Sequence, residues 1–183
     1  MNDKAFDILI ECEDSLLLEN VDHETYDYDE ELESITSLFH DLSVSFNERR
    51  ILFTLKINNA VCAADNTELS ILLEKFMSLV DFATSEEIKN YNLDFFEQGA
   101  VYLLSFEKSG KNLYSLQFTN KQIPNFEVIN CRETLLDLNL TLFTFYHRVV
   151  FLTAKMCPAI SKHKMYVDWR SRIDQMFQLS NIF

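Results

Sequence analysis

Two glycines and two prolines in 183 residues constrain this chain more than any other feature. Glycine and proline supply most of the backbone conformations that turns and irregular loops need. Their scarcity disfavours long irregular loops and flexible interdomain linkers, and a single domain over residues 1–183 is expected. It also removes the glycine-rich phosphate loops: neither G-x-G-x-x-G nor a P-loop can be assembled from Gly99 and Gly110. Apolar residues make up 48% of the chain, with 16 Phe and 7 Tyr, which is enough to build a core and argues against a disordered chain.

Hydrophobic period gives the elements. Phe6, Ile8, Ile10 and Cys12 alternate with Asp7, Leu9 and Glu11, a strand pattern that Leu16–Leu18 continue or follow with a second strand. Leu42, Val44 and Phe46 alternate with Ser43, Ser45 and Asn47. Asn47–Arg50 reads as a tight turn, and Ile51, Phe53, Leu55 and Ile57 alternate after it, so a hairpin of 42–47 with 51–58 is expected. Leu69, Leu72, Leu73, Phe76, Leu79, Val80 and Ala83 switch to helical spacing, with Asp65 and Glu68 as a capped start. Residues 91–118 return to strand character. Gln98-Gly99 suggests a bulge, Lys108–Lys111 a turn, and Val128-Ile129 a short edge strand. Asn130 and Glu133 resemble a second capping pair. From Arg132 to Met156 the chain is apolar nearly all round, which reads as a central buried helix that Pro158 ends. A last amphipathic helix is expected over 166–179. Hairpins without βαβ alternation indicate α+β: an antiparallel sheet with amphipathic helices packed on it and a long buried C-terminal helix.

The charge is unevenly placed. The net charge is −13, and residues 1–50 carry 15 acids against 3 bases. From Phe145 to the end the sign reverses, with six bases against Asp168 and Asp174. The acidic density peaks in VDHETYDYDEELE, residues 21–33, where Asp22, Glu24, Asp27, Asp29, Glu30, Glu31 and Glu33 surround Tyr26 and Tyr28 with no lysine or arginine among them. Like charges this close repel unless a cation or basic partner offsets them. One reading is a solvated loop or the first turns of a helix. The other is a docking surface for a basic protein, with Tyr26 and Tyr28 as contact residues. A globally acidic chain is a poor direct ligand for nucleic acid, whose phosphates are bound by Lys and Arg.

Other chemistry is thin. His40-Asp41 is the only adjacent His/carboxylate pair, and no nucleophile or oxyanion site stands at a recognisable spacing from it. His23 and Glu24 could meet a cation with Asp22 or Asp27, but the order of a calcium loop is missing. No metal, cofactor or catalytic role is expected. Cys12, Cys62, Cys131 and Cys157 form no C-x-x-C and have apolar neighbours, as buried free thiols do. No secretory leader and no charge-free run of 18 residues is present, so a cytoplasmic location without a spanning helix is expected. Ser161–Lys164 reads as a basic loop, solvated or a second contact patch. His147 reads as a core or boundary histidine. Trp169, the only tryptophan, is either the packing anchor of the last helix or a second contact.

The chain resembles the immunity proteins of bacterial contact-dependent and polymorphic toxin systems. The resemblance spans the whole length in character: small, acidic, glycine-poor, rich in Phe, Ile, Leu and Asn. Its nearest approach to a motif is Leu93-Asp94-Phe95-Phe96-Glu97-Gln98-Gly99 leading into 101–106. It implies a non-enzymatic inhibitor that binds a cognate basic toxin domain, a nuclease among the candidates. The alternative is a structural or regulatory interaction module or adaptor, for which a homodimer through Trp169 and the last helix is one form.

Overall fold

The computed structural model describes residues 4–13, 34–95, 102–120, 123 and 127–179. The expected strands at Leu16–Leu18 and bulge at Gln98-Gly99 lie outside these residues. The described chain is α+β, with seven strands in two antiparallel sheets and five helices.

The first sheet contains β1 (Phe6–Glu11), β2 (Leu52–Ile57) and β3 (Ala60–Ala63), with β2 in the middle. β1 buries Phe6, Ile8 and Ile10 as its alternation requires, and pairs with β2 from Phe6↔Ile57 to Glu11↔Leu52. β2 and β3 are joined by Asn58-Asn59, both at positive φ (49° and 66°), as a two-residue turn of the I′ type demands. Between β1 and β2 comes helix α1 (Ile35–Glu48). This overturns the expected hairpin. The Leu42/Val44/Phe46 alternation covers three residues only. Leu38, Phe39, Leu42, Ser43 and Phe46 are the residues buried, which is helical spacing, and Val44 is left 43% exposed. Ser34 caps the helix, its Oγ accepting from Ser37 N at 3.2 Å. The turn at Asn47–Arg50 is real, but it closes a helix: Arg50 sits at φ 55° and Ile51 N donates to Phe46 O.

Helix α2 (Asn66–Thr84) starts as the sequence indicates, in a capping box of Asp65 with Glu68. Asn66 is buried, and its side-chain amide donates to Ile51 O (3.1 Å) and Ser43 O (3.4 Å), tying α2 to α1 and β2. The second sheet is a meander of β4 (Asn90–Phe95), β5 (Tyr102–Lys108), β6 (Leu113–Asn120) and β7 (Ile129–Thr134). The turn between β5 and β6 passes through Gly110 at φ 89°. β7 runs further than the expected edge strand, so Asn130 and Glu133 pair with Gln117 and Tyr114 and cap nothing. The cap falls at Thr134, whose Oγ1 accepts from Asp137 N at 3.1 Å.

From there α3 (Leu135–Met156) runs along the molecule. Pro158 opens the short helix α4 (Pro158–Lys162), and α5 (Lys164–Leu179) follows. The expected basic loop is therefore the end of α4 and the start of α5, with His163 buried between exposed Lys162 and Lys164.

Both sheets and all five helices contribute to one hydrophobic cluster. The sheets meet at Glu133: one carboxylate oxygen accepts from Ala5 N at 2.5 Å, the other from the Tyr114 hydroxyl at 3.2 Å. Asn58 Nδ2 adds a bond to Asn130 O at 2.8 Å. Phe76 of α2 lies within ring contact of Phe145, Tyr146 and Trp169, and Trp169 meets Phe39 edge-on at 5.1 Å. Phe76→Ala should cost about 3–5 kcal/mol in urea unfolding. Val44→Ala, on the outer face of α1, should stay within about 0.5 kcal/mol. A large loss at Val44 would mean that 42–47 does not fold as this helix.

Candidate functional site

Segment 21–33, with Asp22, Glu24, Tyr26, Asp27, Tyr28, Asp29, Glu30, Glu31 and Glu33, lies outside the described residues, as does His23. The residues at its C-terminal junction are described. Chain enters α1 at Ser34, and beside that end is a groove of about 340 Å³ between α1 and α2. Thr36, Ser37, His40 and Asp41 line it from α1, and Ser70, Ile71 and Glu74 from α2. Its hydroxyls and the Asp41 and Glu74 carboxylates make it an acceptor-rich surface. Glu74 Oε1 also holds Lys75 Nζ at 2.9 Å, a pair at the surface that adds little stability. His40 is exposed, and its carbonyl accepts from the buried Ser43 hydroxyl at 2.7 Å. The sequence brought His40 and Asp41 together, but it gave no sign that Glu74 and Ser70 would join them from a second helix.

Trp169 is not at the surface. It is 3% exposed and ringed by Phe39, Phe76, Tyr146 and Tyr166. The indole anchors α5 to the core, so a second contact at Trp169 does not fit its placement. Asp94 stands exposed on β4, while Glu97 lies outside the described residues.

Two further concavities exist among the described residues. One, of about 670 Å³, lies beyond the C-terminal end of α2, where Ser85, Glu86, Lys89, Lys108, Lys111 and Leu135 contribute. Its lysines serve the helix end: Lys108 Nζ donates to Ser85 O, and Lys89 Nζ to Glu86 O at 2.7 Å. Burial, then the neighbouring Lys89, hold the Lys108 ammonium below its usual pKa, against Asp81 and Glu86, which raise it. The ring of Phe82 sits 4.9 Å from the same nitrogen. The other, of about 350 Å³, runs between α3 and α5 past Phe143, His147, Asp174 and Phe177. There the Tyr146 hydroxyl donates to Asp174 Oδ1 at 2.7 Å, with Arg170 O at 3.1 Å. Burial first, then this carboxylate, push the Tyr146 phenol far above its usual range. His147 is exposed, its ring edge-on to Phe143 at 4.2 Å.

Reading the sequence as two-sided burial missed the outer face of α3. Its inner residues Leu138, Leu142, Phe145, Tyr146, Val149 and Leu152 are fully buried, but Leu136 (56%), Leu140 (36%) and Phe151 (49%) face out. The phase of the buried positions, repeating at three and four, was the signal that could have revealed it. By length and composition alone α3 could also cross a membrane, with 22 residues and mean hydropathy 1.2, although 44% of that apolar window is buried in the protein.

None of the four cysteines is in a disulfide. Cys62, Cys131 and Cys157 are buried and Cys12 is half-exposed. Burial pushes the Cys62 thiol up to about 11 and Cys131 up to about 12, and raises Cys157 as well. A raised pKa means less thiolate at a given pH. At about pH 8, native protein should therefore release one prompt equivalent from a thiol reagent, from Cys12, and the other three only on unfolding. Two prompt thiols, or a Cys12→Ser chain that still reacts promptly, would contradict this burial pattern. No family model, no curated protein and no solved structure matches the chain.

Proposed function

We propose that this chain is a non-enzymatic cytoplasmic binding protein that neutralises a basic toxin domain, in the way of the immunity proteins it resembles. The observation that carries the reading is the placement of charge. Seven carboxylates and two tyrosines lie within residues 21–33, and the segment joins the fold beside a groove that adds Asp41 and Glu74. A basic loop of the partner would meet the segment first and the groove next. Complementary charge speeds such encounters by steering and sets partner choice more than it sets affinity. Tyrosine supplies apolar contact with little rotamer entropy to lose, so Tyr26 and Tyr28 would hold what the carboxylates attract. The alternative, a regulatory interaction module or adaptor, draws its support from a different feature, the apolar outer face of α3.

Co-expression with the product of the adjacent upstream gene tests the reading directly. Growth arrest by that product's C-terminal region, relieved by this chain and followed by co-purification, is the expected result. Arrest without rescue would leave the adaptor reading ahead. With a partner in hand, changing Asp27, Asp29, Glu30 and Glu31 to Asn or Gln should slow association roughly tenfold or more at low salt and flatten its salt dependence. An unchanged on-rate would remove the acidic segment from the interface.

A further inference from the structure

The geometry points to α3 as a self-association surface: two copies of the chain dock their α3 helices antiparallel, about a two-fold axis at the level of Phe145 and Tyr146. Leu136, Leu140, half-buried Phe143, His147 and Phe151 follow one another at three- and four-residue intervals, so they form one stripe along a helix about 33 Å long. No charged residue occurs from Leu138 to His147. In a chain that is 25% charged, ten successive residues without Asp, Glu, Lys or Arg and a stripe that is apolar but for His147 are the kind of patch that marks an interface.

Charge placement selects a second copy as the occupant. Asp137 stands at the start of α3, and Arg148 and Lys155 stand towards its end. Asp137 and Lys155 are about five turns apart, so they occupy the same edge of the stripe, and Arg148 lies close to that edge. In an isologous antiparallel pair each edge meets its own copy with direction reversed. Asp137 of one chain then faces Lys155 of the other at both ends, while Leu140 meets Phe151 twice. Parallel docking would set that edge against the opposite edge of the copy, and Asp137 and Lys155 would not meet. This inference is independent of the toxin reading, and its test needs only the purified chain.

Sedimentation equilibrium of the full chain from about 1 to 100 μM should show the mass rising from 21.5 kDa towards twice that value. Phe151→Glu, at a side chain 49% exposed, should weaken the dimer at least tenfold while leaving the far-UV melting curve in place, and Leu140→Glu, at one 36% exposed, should weaken it as much, with its melting curve recorded to separate lost docking from lost folding. Orientation is read by cross-linking in a Cys12→Ser background. Chains carrying Leu140→Cys and Phe151→Cys should form disulfides with each other on mixing, and neither should do so alone. A mass of 21.5 kDa at every concentration would overturn the inference. So would a dimer indifferent to both glutamates, self-cross-linking of either cysteine variant alone, or a monomer that floats with zwitterionic vesicles, which would assign the stripe to a lipid surface.

Discussion

The fold converges on the ring of Phe76. Four helices that are distant in sequence meet there: α2 supplies Phe76, α3 Phe145 and Tyr146, α5 Trp169, and Trp169 carries the contact on to Phe39 of α1. Tilted and edge-on pairings of this kind gain from the ring quadrupole as well as from burial. The sheets join the same network. Phe53 of β2 meets Phe145, and Phe6 of β1 reaches Phe106 of β5, which meets Phe82 of α2. Aromatic side chains thus replace what a longer chain would do with separate cores, and the abundance of phenylalanine becomes intelligible as joinery between layers. Glu133 completes the joint with polar chemistry, and its position beside Tyr114 helps burial to hold that phenol protonated far above its usual range.

How much of this was legible follows from the range of each interaction. α2 could be read because its cap and its stripe are both local: Asp65, Glu68 and seven apolar positions within nineteen residues. The β5–β6 hairpin could be read for the same reason, with Gly110 supplying the positive φ its turn requires. α1 was misread because Leu42 and Phe46 fit both periods while Val44 completes an alternation of three, and the burial of Leu38 and Phe39 decides for the helix. The partner of β2 was misread because β1 lies some forty residues away, and pairing over that distance leaves no local trace. In sequence Asn130 with Glu133 resembles the cap of α3, and in the fold the cap is Thr134 with Asp137. Pairing of β7 with β6 chooses between them.

The surface was less legible than the core. Composition alone singles out segment 21–33, which lies outside the described residues, and adjacency alone singles out His40-Asp41, yet the contribution of Glu74 across the helix pair needed the fold. Trp169 shows the converse. A lone tryptophan between Asp168 and Arg170 reads in sequence as a packing anchor or as a contact, and position along α5 turns it inwards while Asp168 stays exposed and Arg170 half-buried. Helical phase outweighs the polarity of immediate neighbours.

Both flanks of residues 14–33 belong to well-held elements. On one side β1 is paired along its length with β2 and fixed at Ala5 by Glu133; on the other, Ser34 caps α1. The two ends of the most charged part of the chain are therefore set by the core. A substitution at Phe76 is felt by α2, α3 and α5 at once. A ring in that packing can change only together with its neighbours, so the interior of this protein is inherited as a set.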